Sequence, residues 1–188
     1  MRPKLVFLTA TFLVAAPIGA QQAPAAAGPK VGDMAPDFTI TVAGKDGVKA
    51  APFKLSDARG RTVVLAFFPK ARTSGCTIQM EAYRDRYAGL FMDGKKVIVL
   101  GISVDADTTL AAWAAEKKLP FNLGSDVGGA IGTAYGAFMP GPKMENRLLF
   151  VVGPDGRITY DARPFRVTAE DAYQSLGDAV TKAQVGTH

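Results

Sequence analysis

The sequence predicts an α/β domain built on a mixed central sheet flanked by helices. Three observations carry that expectation. Apolar, β-rich runs of strand length alternate with stretches of helical periodicity. The strongest of these runs is apolar throughout rather than at every second residue, so both of its faces are to be buried. The last two strands are joined by a short turn, GPDG at 153–156, which adds a hairpin to the strand–helix order. The 188 residues are 48% hydrophobic and 21% charged, a balance that suits one domain with its own core.

In chain order, residues 1–20, MRPKLVFLTATFLVAAPIGA, open with two basic residues, continue through an apolar run from Leu5 to Ala16, and close on Gly19 and Ala20. This is the layout of a secretory signal peptide cut after Ala20, and it predicts an exported protein, periplasmic or secreted. The apolar run falls short of the ~20 residues a spanning helix needs, and an uncleaved anchor is the alternative. Residues 21–30, QQAPAAAGPK, have nothing to bury and read as a flexible linker, leaving 31–188 as the folded domain.

TVVLAFFP at 62–69 reads as a strand buried on both faces and ended by Pro69. Ile78, Met80, Tyr83, Tyr87, Leu90 and Phe91 recur at mostly helical spacing and predict a helix over 76–92. KVIVLGISVD at 96–105 is the second strand. Asp107 or Thr108 caps a helix through Lys118, with Leu110, Trp113 and Ala114 as its apolar stripe and Pro120 beyond its end. A short helix fits 127–136. RLLFVVG at 147–153 and RITYDA at 157–162 form the hairpin. TAED at 168–171 resembles a capping box opening a helix to about Ala183. No internal repeat is present.

Composition and motifs exclude several function classes. Arg2 and Lys4 are two of the 22 basic residues, and the rest exceed the 17 acidic ones by three, too few for a nucleic-acid footprint. The one histidine, His188, is the last residue, which argues against a cysteine–histidine nucleophile and a histidine zinc site; no metal or cofactor is expected. There is no C-x-x-C. GGAIGTAYG lacks dinucleotide spacing and a phosphate-loop lysine. Asp105, Asp107 and Glu116 read as solvated charges, and Met80 and Trp113 as core.

Cys76 is the only cysteine and stands where a buried strand gives way to the first turn of a helix. Unpaired N–H groups and the helix dipole there favour a thiolate over a thiol. Gly75 lets backbone N–H groups approach a small ligand, and Thr73 offers a hydroxyl that donates and accepts. From position alone, Cys76 reads equally as a small core residue, Thr73 as a helix cap, Pro69 as a strand end and Arg147 as an exposed strand-end arginine.

PKARTSGC matches P-x-x-x-T-x-x-C and resembles the active-site motif of the peroxiredoxins. VGDMAPDFTI, LSDARGRTVVLAFFP, CTIQMEAYRD, ISVDADTTLAAWAAEKKLPFNLGSD and NRLLFVVGPDGRI resemble further segments of that family, over about 31–180. The pairing of the motif with CTIQMEAYRD is most similar to the bacterioferritin-comigratory, or Q-type, branch. The resemblance implies a thioredoxin-like fold and a thiol-dependent peroxidase acting on hydrogen peroxide and organic hydroperoxides. It makes Cys76 the peroxidatic cysteine, oxidised to a sulfenic acid. Thr73 orients the peroxide, Pro69 shields the pocket, Arg147 stabilises the thiolate and the departing oxygen, and the backbone at Gly75 contacts substrate.

Many members of that branch carry a resolving cysteine five residues further on, where this chain has Glu81. The resemblance therefore implies a one-cysteine cycle resolved by an external thiol or a thioredoxin-like reductant. A monomer or a non-covalent homodimer is expected, with no nucleic acid bound and no stable membrane association once the leader is removed. ARTSG departs from the family pattern, and Lys70 and Arg72 are expected to make the pocket mouth basic. A thioredoxin-fold binding or accessory protein without turnover is the alternative reading.

Overall fold

Every side chain of Thr62–Phe67 is buried, as a strand without alternation requires, and this strand lies inside the main sheet with a neighbour on either side. The structure, a computed structural model, describes residues 28–185. In chain order it comprises β1 (Thr39–Gly44), β2 (Gly47–Val48), β3 (Phe53–Lys54), β4 (Thr62–Phe67), α1 (Ser74–Asp85), α2 (Tyr87–Phe91), β5 (Val97–Ser103), α3 (Asp107–Glu116), β6 (Asn122–Ser125), α4 (Ala130–Tyr135), β7 (Phe138–Met139), β8 (Met144–Glu145), β9 (Leu149–Val152), β10 (Ile158–Ala162) and α5 (Glu170–Val185). The leader read over 1–20 and residues 21–27 of the linker read over 21–30 lie outside the described residues.

The main sheet runs β10-β9-β4-β5-β6-β1-β2. β4, β5 and β6 are parallel, while β9 and β1 pair antiparallel at either side, so the sheet is mixed as expected. Successive residues of β4 serve opposite faces. Val64 and Ala66 join Met80, Tyr83, Trp113 and Leu176 in one core. Val63, Leu65 and Phe67 join Tyr135, Leu148 and Phe150 in the other. The incoming chain pairs with the first residue of β10: Gly32 N–H donates to Ile158 O, and Ile158 N–H to Asp33 O.

The expected strands and helices are present, with four local corrections. The helix over 76–92 is two helices broken at Arg86. Tyr83 and Phe91 would lie about 12 Å apart along one continuous helix. Their ring centroids are 5.4 Å apart because the chain folds back to pack them. Within α1 the apolar stripe is Cys76, Met80 and Tyr83, and Ile78 is exposed. Asp107 is the first residue of α3 rather than its cap, and its carboxylate accepts from the neighbouring Thr108 N–H. TAED forms no capping box: α5 begins at Glu170, and Asp171 pairs with Arg166. Met80 and Trp113 are core, as expected.

Candidate active site

Pro69 has no N–H, so the ladder of β4 ends there, one residue after Phe68 N–H donates to Ile102 O. The chain turns through Lys70–Thr73 into α1. Two contacts fix this turn. Ala71 N–H donates to the Asp105 carboxylate at 2.7 Å, which also accepts from the Ser103 hydroxyl at 2.9 Å. Asp105 is therefore no solvated charge: from the end of β5 it fastens the loop ahead of Cys76. Arg72 adopts a left-handed φ of 64° and pairs with Glu116 at 3.2 Å. Its charge, expected to make the pocket mouth basic, is tied to α3.

Thr73 stands at the N-cap position of α1, but its hydroxyl donates back to Lys70 O at 2.9 Å and caps no N–H. Thr77 N–H makes the first helical bond, to Thr73 O, so the N–H groups of Ser74, Gly75 and Cys76 precede the helical ladder. Cys76 is fully buried and unpaired by any disulfide. Thr73, three residues before this thiol, is exposed, and Pro69 is half-buried. A cleft of about 710 Å³ lies elsewhere, between the Gly153–Tyr160 hairpin and α5, and contains none of these residues.

Arg147 reaches the cysteine from the strand side. β9 begins two residues later, so the pairing of β9 with β4 sets where the guanidinium lands. One guanidinium nitrogen, Nη2, lies 3.4 Å from Cys76 Sγ; the other, Nη1, donates to Gln79 Oε1 at 2.6 Å. Gln79 Nε2 donates in turn to the Tyr83 hydroxyl at 3.0 Å. Cys76, Gln79 and Tyr83 are spaced three and four apart and share one face of α1. Burial pushes the Tyr83 hydroxyl far above the usual tyrosine range, so it stays a neutral partner. Gly75 faces this arginine: a Cβ there would sit 3.1 Å from Nη2. The clearance expected to serve a ligand serves the guanidinium.

The structure thus brings Gly75, Cys76 and Arg147 together, with Thr73 at the head of α1 and Pro69 at the end of β4, where no contact to the sulfur is seen. Sequence reasoning missed Gln79 and Asp105. The signal for Gln79 was a polar residue three positions after the cysteine, on the helix face that carries Met80 and Tyr83 inward. Where the resemblance places a resolving cysteine, Glu81 pairs with Lys117 of the α3 terminus at 3.1 Å.

Comparison with known proteins gives the family. The AhpC/TSA family model matches residues 31–161. The selenocysteine-containing peroxiredoxin PrxU of Peptoclostridium acidaminophilum is 36% identical over 135 residues, covering 68% of this chain and 64% of that protein, so the chain spans less than two thirds of that relative. Peroxiredoxin Bcp of Escherichia coli K12 is 32% identical over 145 residues, 74% of this chain and 88% of that protein. The crystal structure of peroxidoxin BcpB from Mycobacterium tuberculosis superposes with a TM-score of 0.68 at 24% identity, covering 85% of this chain and 99% of that one, which shows the shared fold. The chain is therefore a member of the AhpC/TSA family, a peroxiredoxin of the bacterioferritin-comigratory, Q-type branch with a single cysteine.

Proposed function

We propose that the protein is a one-cysteine thiol peroxidase for hydrogen peroxide and organic hydroperoxides, with Cys76 as its nucleophile. The observation that carries this reading is the Arg147 guanidinium, held 3.4 Å from the sulfur of the one cysteine at the start of α1. The Cys76 thiolate attacks one peroxide oxygen. The O–O bond breaks, the departing oxygen takes a proton and leaves as water or alcohol, and Cys76 becomes a sulfenic acid. Arg147 holds the thiolate and, with the N–H groups that open α1, offsets charge developing on the departing oxygen. The Thr73 proton is committed to Lys70 O, so its lone pairs face the incoming O–H. Pro69 covers the sulfur on the strand side.

The sulfenic acid is resolved from outside. One external thiol forms a mixed disulfide with Cys76 and releases water; a second thiol frees the enzyme and leaves as a disulfide. Residues 1–20 direct the chain out of the cytoplasm, so this reductant is met in the periplasm or beyond; the support is the sequence pattern of the leader. The enzyme works as a monomer or a non-covalent homodimer.

The test is stopped-flow oxidation of the reduced protein by hydrogen peroxide, with the sulfenic acid trapped on Cys76 by a dimedone reagent. The expected result is oxidation orders of magnitude faster than a free thiol, lost in Cys76→Ser while the fold is retained. Oxidation at the free-thiol rate would assign the fold to binding without turnover.

A further inference from the structure

Glu145, two residues before Arg147, is the one fully buried acidic side chain among the described residues, and no N–H or O–H reaches either of its oxygens. It lies on β8, opposite Phe138 of β7. Its carboxyl rests on α4 at Gly132, where a Cβ would come within 2.1 Å of an oxygen. The polar group it faces is Asp126, just after β6, whose own oxygens accept the Ile131 and Gly132 N–H groups at 3.2 and 2.8 Å. Two carboxyls bond each other only through a proton, and two adjacent buried ones do not both ionise at ordinary pH. Glu145, which has no donor of its own, is the one that keeps the proton.

Among the described residues no other charge is placed to compensate it. α4 carries one titratable side chain, Tyr135, whose hydroxyl donates away to Pro36 O. β7 carries none, and the end of β5 contributes the neutral Ser103. Beside Glu145 on its own chain, Lys143 is exposed and Arg147 turns to Cys76.

From β8 the chain leads directly to the site. Asn146 N–H donates to Ala137 O at 2.7 Å, Arg147 N–H to Asn146 Oδ1 at 3.0 Å, and Phe165 N–H to Arg147 O at 2.9 Å. We propose that Glu145, held as the neutral acid against Asp126 and α4, is a positioning residue for Arg147: it seats the β7–β8 hairpin, and its ionisation unseats the hairpin and withdraws the guanidinium from Cys76.

Burial first, then the Asp126 charge, pushes the Glu145 carboxyl up to about 8 from the usual 4.5. A raised carboxyl favours folding most below its unfolded value; that contribution falls as pH rises above 4.5 and is fully lost beyond about 8. Peroxide oxidation therefore acquires an alkaline limb.

This inference rests on the peroxidase reading, and the test separates the two. Oxidation of Cys76 by hydrogen peroxide is followed between about pH 6 and about pH 10 in the wild type, Glu145→Gln and Glu145→Met, the last two being unable to ionise. Amide exchange of residues 137–147 is followed in parallel, each variant against the wild type at the same pH. In the wild type, oxidation falls by up to about tenfold per pH unit above the transition while exchange of 137–147 rises relative to the variants. The variant that folds keeps its rate and its protection. An alkaline limb of the same size in that variant, or no limb in the wild type, overturns the proposal. Slow oxidation at every pH refutes the peroxidase reading, and the exchange comparison then decides the role of Glu145 by itself.

Discussion

Two buried polar side chains flank Arg147 in opposite condition. On the helix side, Gln79 is fully buried with both ends of its amide engaged, one accepting from the guanidinium and one donating to Tyr83. On the strand side, Glu145 is as deeply buried with neither oxygen receiving a donor. A satisfied amide has one state over the whole pH range and holds the arginine by geometry alone. A carboxyl in want of a donor keeps a proton instead, so its hold depends on the solution. Placement of one cation is thus divided between a partner insensitive to pH and one that answers to it.

Removing what both partners hold breaks the comparison outright. Arg147→Ala is expected to slow Cys76 oxidation by about a hundredfold or more, the scale of losing one oriented donor at a site of developing charge. A rate constant from stopped flow within a few-fold of wild type would remove Arg147 from the chemistry.

Breaking the helix side alone sharpens it. Gln79→Leu leaves the Tyr83 hydroxyl without its donor in the core, and should cost about 1–3 kcal/mol of stability by denaturant unfolding. It should also slow oxidation by about tenfold, the equivalent of roughly 1.4 kcal/mol of lost positioning. The pH profile should keep the wild-type shape, because Glu145 is untouched; a flattened profile would mean the two sides act as one unit.

The smallest effect is expected where a charge lies near the site and is paired in solvent. Arg72 pairs with Glu116 in the open, with side chains 46% and 49% exposed. Arg72→Ala should change stability by at most about 1 kcal/mol and leave the oxidation rate close to wild type. A large drop in rate would show that the cation count at the pocket mouth matters as well as the one contact to sulfur.

The long apolar strands and the place of Cys76 at a strand-to-helix junction were legible in the sequence because their signals are local. TVVLAFFP has no polar face, and the cysteine motif fixes three positions within eight residues. Strands β1 and β6 went unread: NLGS is four residues with a glycine, and it is a strand only because β5 and β1 pair with it on either side. The same holds for polar groups whose meaning depends on burial. Asp105 looks like any loop carboxylate until β5 brings it to Ala71 N–H, and Glu145 looks like a hairpin charge until α4 closes over it. Gln79 lay between the two cases, since its helical phase already pointed inward.

The ion pair between Glu81 and Lys117 reaches beyond local stability. With a carboxylate five residues past Cys76 and one cysteine in the sequence, the oxidised form in the proposed cycle has no second thiol to fall back on. Each turnover waits on a collision with a reductant, so the overall rate should rise linearly with that reductant's concentration. Between collisions the sulfenic acid stands open to a second peroxide, and the sulfinic product is a dead end. On the proposed one-cysteine cycle, the protein is a catalyst when thiols are plentiful and a single-use recorder of peroxide when they are scarce.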